Sequence, residues 1–297
     1  MNIYSQISSN NTKTWILMAG FVAFFALIAW VMGEALGYGS GYVGVAVVLS
    51  LLTSVGSYFW GDQLILAMSG AREADRKRDF DLFTVTENLA LAAGLPKPKL
   101  YVIDDTAMNA FATGRDPEHA IVVATTGILQ RLDRRELEGV IAHELSHVKN
   151  YDIRLLLVVG VLVGTIAFVT DWFLRSLWWG GRRNREERSG GGAFMLIGIV
   201  LTILAPILAT IIKLAISRQR EYLADASGAL ITRYPEGLAR ALEKLAGDRE
   251  VLEAATNATA HLYITNPFKD KNFGAWFAGL FDTHPPIEER IKRLRNM

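Results

Sequence analysis

The chain has no cysteine. That excludes disulfides, a thiol nucleophile and any thiolate zinc site, so a metal centre has to be built from His, Asp and Glu. It agrees with a reducing compartment without requiring one. Histidine is scarce too: His119, His143, His147, His261 and His284 are the full set. Charge of one sign is also missing. Lys and Arg number 31 against 30 Asp and Glu, a formal net charge of +1, so no basic excess points to a nucleic-acid partner. What the chain does hold is apolar residues, 51% of 297, gathered into blocks.

Thr14 to Gly33 is a run of 20 uncharged residues. At 1.5 Å per residue such a helix covers roughly 30 Å, the thickness of a bilayer core. It is too long for a signal peptide, and no small-residue cleavage site follows it. A second apolar stretch, Gly41 to Gly61, comes after a short Gly-rich link, so the pair reads as a helical hairpin. A third run, Leu155 to Thr170, has only 16 residues before Asp171, short enough that a buried core helix or a re-entrant hairpin competes with a span. A fourth, Ala193 to Ile212, has 20 and carries Pro206 as a kink. The link before it, GGRRNREERSGGG, reads as a loop.

These runs divide the chain into an N-terminal transmembrane hairpin (1–61), a polar part (62–154), a second hydrophobic hairpin (155–212) and a second polar part (213–297). An even number of crossings separates the polar parts, which therefore share one side. Arg72, Arg76, Lys77, Arg78, Lys149, Arg154, Lys213, Arg218 and Arg220 flank the spans on that side, and the positive-inside rule makes it cytoplasmic. Arg182, Arg183, Arg185 and Arg188 lie in the opposite loop and pull the other way, softened by Glu186 and Glu187 unless the last two runs do not fully cross. Trp172, Trp178 and Trp179 read as an interfacial aromatic belt.

In the polar parts, Phe80 to Ala93 has helical spacing and stops at Gly94-Leu95-Pro96. Lys99 to Ile103, Asn109 to Thr113 and Ala120 to Ala124 read as short strands. Arg134 to Asn150 reads as a helix with Asp133 as its N-cap and Leu137, Val140, Ile141, Leu145 and Val148 on one face.

That helix carries His143-Glu144-Leu145-Ser146-His147. Two histidines four apart sit one turn apart on the same face, where both imidazoles can reach one tetrahedral ion at about 2.0–2.1 Å. Glu144 adjoins the first ligand, poorly placed to bind the same ion but well placed to hold a water there and take its proton as the water attacks a carbonyl. The competing reading is a chance match on a surface helix. The apolar flanks and the use of two of only five histidines weigh against it. A catalytic zinc needs a third protein ligand and an open position. Downstream, Glu221 and Asp225 stand four apart on another helix face. Glu221 suits the third ligand and Asp225 the partner of a ligating imidazole, against an ordinary salt bridge from Glu221 to Arg218 or Arg220.

HELSH, two apolar runs and then EYLAD resemble the HtpX-type membrane zinc proteases, relatives of the CAAX prenyl protease family. Asn109-Ala110-Phe111-Ala112-Thr113-Gly114 and Thr283-His284-Pro285-Pro286 are similar to further family patterns in the same order. The resemblance implies a mainly α-helical membrane protein with about four transmembrane or membrane-embedded helices and a cytoplasmic α+β gluzincin-like zinc protease domain with a small β-sheet. It implies one zinc per chain on His143, His147 and Glu221, Glu144 as general base and Asp225 as the hydrogen-bond partner of a ligating imidazole. It also implies quality-control cleavage of membrane proteins at a prokaryotic inner membrane, with membrane-protein or peptide substrates and the lipid bilayer as partners. Asn109 is a candidate to hydrogen-bond substrate from an edge strand, with a turn residue as the alternative. His284 is a candidate donor to the oxyanion, with ordering of the Pro-Pro turn as the alternative. His119 reads as an exposed turn residue, and His261 has no partner motif. A prenyl-protein protease of the same chemistry and a silent scaffold or metal carrier are the rival functions. Only four apolar runs speak against the first, and the presence of Glu144 speaks against the second.

Overall fold

The computed structural model describes residues 3–35, 41–180, 218–256, 259–265, 267 and 285–297. Helix α1 runs Ile3–Ala35 and α2 Gly41–Met68. Their windows Ile7–Trp30 and Val43–Met68 are long and apolar enough to cross a membrane, by length and composition. Trp15, Ile16, Leu27, Val48, Leu52 and Trp60 point outward from them, unlike the side chains of a helix buried in a soluble core. Both helices exceed their apolar runs. The first takes in the polar turn at Ser8–Asn11, and the second continues past Gly61 and Asp62 to Met68.

Helix α6 spans Asp152–Gly180 and contains the third apolar run. Its first half is protein-buried. Val158, Leu162 and Ile166 pack on Met18 and Phe21 of α1. Gly61 lets α2 close in, since a Cβ there would stand 3.0 Å from Leu157 and 3.1 Å from Val161. The fourth run, Ala193 to Ile212, the Arg-rich loop before it and the side chains of Trp172, Trp178 and Trp179 lie outside the described residues.

The polar parts make a four-stranded mixed sheet and a helical layer. The strands are β1 (Arg72–Glu73), β2 (Lys99–Ile103), β3 (Ala110–Thr113) and β4 (Ile121–Thr125), in the order β1-β2-β4-β3. Only the β2–β4 pairing is parallel. Two strand starts sit one residue later than the sequence pattern gives, because Asn109 and Ala120 precede the ladder. Strand β4 is buried along its whole length because the sheet is covered on both sides. Alternate side chains point to opposite faces. Val122 and Ala124 join Leu82, Val85, Val140 and Ile141, while Ile121 and Val123 join Phe111, Tyr263, Ile65 of α2 and Leu157 of α6. The second sheet face therefore rests on the ends of the membrane helices.

Helices α3 (Phe80–Ala93), α4 (Thr126–Arg131), α5 (Arg134–Lys149), α7 (Arg218–Thr232), α8 (Pro235–Gly247) and α9 (Ile287–Arg295) complete the layer. Gly94 ends α3 in the left-handed conformation, φ 68°, which glycine adopts without steric cost. Helix α5 opens with a full capping box: Asp133 accepts from the Glu136 N–H at 2.9 Å and Glu136 accepts from the Asp133 N–H at 2.8 Å. Its interior crosses α8 so closely that a Cβ on Gly139 would meet the Leu238 nitrogen at 2.5 Å.

Candidate metal centre

Every side chain of the HELSH segment is buried, because α5 is clasped between the sheet, α7 and α8. Gly228 sets the α5–α7 distance: a Cβ there would lie 3.1 Å from the His143 nitrogen. The close crossing brings Glu221 onto the two histidines. The His143 and His147 Nε2 atoms are 3.2 Å apart. Glu221 Oε2 is 3.7 Å from the first and Oε1 is 3.6 Å from the second. Ligands bound at about 2.0–2.1 Å in a tetrahedron are separated by about 3.3 Å, so the two ring nitrogens and the Glu221 carboxylate, with one oxygen toward each ring, already stand close to the spacing of one coordination sphere. The third-ligand reading of Glu221 thus has the geometry it needs, and Arg220, one of its two competing partners, donates to Asn10 of α1.

Each imidazole is held from behind by a carboxylate. Asp225 Oδ1 lies 2.9 Å from His143 Nδ1, where the sequence pattern puts it. Asp152 Oδ2 lies 3.0 Å from His147 Nδ1. Such contacts fix which ring nitrogen faces the ion. Asp152 reaches back because Tyr151, at φ 59°, turns the chain sharply between α5 and α6. A non-glycine residue in that region stores of order 1–3 kcal/mol, tolerated here because both flanking helices are packed.

Asp152 and Arg290 were not legible as site residues. Arg290 of α9 is completely buried, donates to both Asp225 oxygens at 2.9 and 2.7 Å, and lies 3.8 Å from Glu221. One signal for it exists: it shares a helix stripe with Ile287, Ile291 and Leu294, where an arginine has no reason to be unless it has a buried partner. Asp152 has a fainter one, an acidic residue at the mouth of an apolar run directly after the HELSH helix.

Burial alone would push the Asp225 carboxyl up, but Arg290 and the His143 ring hold it at about 2. Burial would likewise lower His147, yet Asp152, Glu221 and Glu144 raise it to about 9 in the metal-free chain. Glu144 is pushed up by burial, against His143, His147 and a hydrogen bond from the Ala112 N–H. That bond comes from the outer edge of β3, so the sheet edge runs beside the Glu144 carboxyl.

Charge bears on what fits. Glu144, Asp152, Glu221 and Asp225 oppose Arg220 and Arg290, a buried excess of two negative charges when the carboxylates are ionised. Two imidazoles and a carboxylate form a donor set suited to zinc, and a dication balances that excess. Among the described residues, this is the cluster able to hold a metal ion.

Asn109 is bound within the chain. It is buried, donates from Nδ2 to the Thr265 carbonyl at 3.1 Å, and accepts at Oδ1 from the Ala110 N–H at 3.1 Å. Its amide clasps the 264–265 segment rather than lying open to a peptide, because Ile264 already donates to Ala110 on the outer edge of β3. His284 lies outside the described residues. His119 is exposed and pairs with Asp116 at 2.7 Å. His261 is buried, with Nε2 3.1 Å from the Leu156 carbonyl.

A family model described as Peptidase family M48 matches residues 76–297. The chain is 45% identical over 294 residues to the "Protease HtpX homolog" of Dictyoglomus thermophilum, covering 99% of this chain and 94% of that protein. The protein of the same name from Caldanaerobacter subterraneus subsp. tengcongensis is 45% identical over 303 residues, covering 99% and 98%. That from Ligilactobacillus salivarius is 44% identical over 303 residues, covering 99% and 100%. The crystal structure of S. mikatae Ste24p is similar in fold, with a TM-score of 0.51 at 19% identity. It matches 98% of this chain, which spans 66% of that longer protein.

Proposed function

The chain belongs to peptidase family M48, the metalloproteases, and from that premise we propose that it is a membrane-embedded zinc endopeptidase acting on membrane proteins, misfolded ones among them. The observation that carries the reading is two ring nitrogens 3.2 Å apart, each with a Glu221 oxygen at 3.6–3.7 Å, and a carboxylate behind each imidazole. His143, His147 and Glu221 hold the ion. Zinc, when bound in such a set, polarises a carbonyl and makes a neighbouring water more acidic.

The chain's own residues do the rest. Glu144 accepts the proton of the attacking water on its carboxylate and returns it to the departing amine. The Ala112 N–H fixes that carboxyl in place, and its burial favours the protonated form midway through the cycle. Asp225 and Asp152 keep each ring's Nε2 turned inward. His284 is proposed as the oxyanion donor on its Thr-His-Pro-Pro setting alone.

The active site is proposed to face the cytoplasm of a prokaryotic cell. Support comes from the Lys and Arg flanks of the spans and from α5 and α7, on either side of the second hydrophobic stretch, sharing one core. The likeness to Ste24p is one of fold and does not favour a prenylated substrate.

The deciding experiment is cleavage of casein and of a membrane-protein substrate by the purified full chain in detergent, beside Glu144→Gln and a metal analysis. Equal cleavage by both proteins, or no metal in the active one, sinks the reading. Single cysteines introduced into this cysteine-free chain test the orientation. Labelling of 62–154 or 218–256 from outside intact cells would reverse it.

A further inference from the structure

Asn10 lies within the apolar window Ile7–Trp30 of the first membrane helix, yet it is 2% exposed and faces the metal centre. Its Nδ2 donates to Asp152 Oδ1 at 2.7 Å and to the Asn150 carbonyl at 3.1 Å. Its Oδ1 accepts from Arg220 Nη1 at 3.0 Å. One amide therefore ties α1 to three pieces: the turn that ends α5, the first residue of α6, and the start of α7 directly before Glu221. Asn10 and Asp152 are 142 residues apart, so nothing local brings them together.

Asp152 links Asn10 to His147. One oxygen holds His147 Nδ1 at 3.0 Å; the other is held by Asn10, with Arg220 Nε waiting at 3.8 Å. A buried carboxylate oxygen without a partner is costly, so it will turn to the nearest donor. Without Asn10 that donor is Arg220. A carboxylate drawn toward Arg220 rotates its second oxygen away from His147, and the ring loses the contact that fixes its orientation.

We propose that Asn10 is a positioning residue of the metal centre, holding Asp152 in place so that His147 presents Nε2 to the ion. The first membrane helix is then a working part of the site as well as an anchor. The inference rests on the reading that His143, His147 and Glu221 bind a metal.

Asn11 supplies the internal control. Its Oδ1 accepts from Arg154 Nη1 at 2.8 Å, so it ties α1 to α6 in the same manner without touching Asp152. The experiment uses the full chain in detergent micelles, stripped of metal. Zinc affinity is measured by competition with a chromophoric chelator, the site geometry by the electronic spectrum of the cobalt(II) form, and stability by the unfolding temperature of the metal-free protein. Asn10→Leu and the smaller Asn10→Ser should each bind zinc about 10-fold more weakly and alter the cobalt spectrum, the scale of a lost outer-shell partner. Asn11→Ala should lower the unfolding temperature and leave affinity and spectrum unchanged. Native affinity in both Asn10 variants overturns the proposal. So does an equal loss in all three, which would make α1 a docking strut and nothing more. Failure of the unmodified chain to bind zinc is a different result, visible before any variant is made, and removes the metal-site reading itself.

Discussion

Arg290→Met tests whether the site is held together by its outer carboxylates. Methionine keeps most of the packing volume and removes the guanidinium, leaving Asp225 buried with only the His143 ring N–H. The Asp225 pKa of about 2 lies below the ordinary value of 3.8. A group depressed in the folded state stabilises the fold above its unfolded pKa, and the contribution vanishes as pH falls through the folded pKa. Here that window runs from about pH 4 down to about 2, and the contribution at neutral pH is about 2 kcal/mol. Leaving a buried charge unpaired costs about 3–5 kcal/mol in other proteins, which sets the upper bound. For a chain of this size 1 kcal/mol moves the unfolding temperature by about 2–4 °C, so a drop of about 4–20 °C is expected in the metal-free protein. Zinc affinity should also fall about 10–100-fold, because Asp225 no longer holds His143 in place. Thermal unfolding and chelator competition on solubilised protein read both. Adding Asp225→Asn removes the orphaned charge and should recover part of the stability without recovering affinity. An unfolding temperature within a degree of the parent, or a double variant less stable than the single, would refute the argument.

Glu144→Gln should retain one zinc per chain and lose turnover by several orders of magnitude; metal lost together with activity would make Glu144 structural. Metal uptake near neutral pH should release at least one proton, because His147, at about 9 in the metal-free site, must give its proton up to bind. Zinc affinity should then weaken about 10-fold per unit below pH 9, measured by calorimetry in buffers of different ionisation enthalpy; a flat profile from pH 7 to 9 would contradict it. The same raised pKa gives the metal-free fold a stabilisation that is full below about 6.5 and fades as pH rises through about 9. Gly228→Ala should leave the metal-free protein nearly as stable, since alanine's helix preference of about 1 kcal/mol offsets the crowding. It should still weaken zinc binding by moving α7 a few tenths of an ångström off His143, and unchanged affinity would show that the crossing has slack.

What could be read from the sequence was what is local. The HELSH and EYLAD spacings report one helix face each, and a helix face survives folding unchanged. The Asp133 cap and the Gly94 stop are local backbone chemistry, and both stand as the pattern gives them. The first two apolar runs announce themselves by length. Asn10, Asp152, Arg220 and Arg290 could not be read in this way, because their partners are supplied by helix packing. Spacing carries no trace of Arg290 reaching Asp225 across 65 residues or of Arg220 reaching Asn10 across 210. The intrachain partners of Asn109 were hidden for a related reason. Edge-strand position is legible from the strand pattern, whereas occupation of that edge by the 264–265 segment is a tertiary event.

The buried charges explain why those distant groups belong to one device. Four carboxylates and two guanidiniums leave two negative charges in a space with little water, an arrangement that proteins do not hold uncompensated. Without metal, protons compensate: Asp152, Glu221 and Glu144 raise His147, and burial, helped by Glu221, raises Glu144. A dication supplies the same two charges at one point and frees both groups for their proposed roles, His147 as a neutral ligand and Glu144 as a base. The guanidiniums cannot substitute for it, because Arg290 and Arg220 are fixed on the outer carboxylate Asp225 and on Asn10. Through them the centre reaches α9 at the C-terminal end and α1 at the N-terminal end. The ends of the chain thus converge on an ion-sized gap between two helices that the middle of the chain supplies.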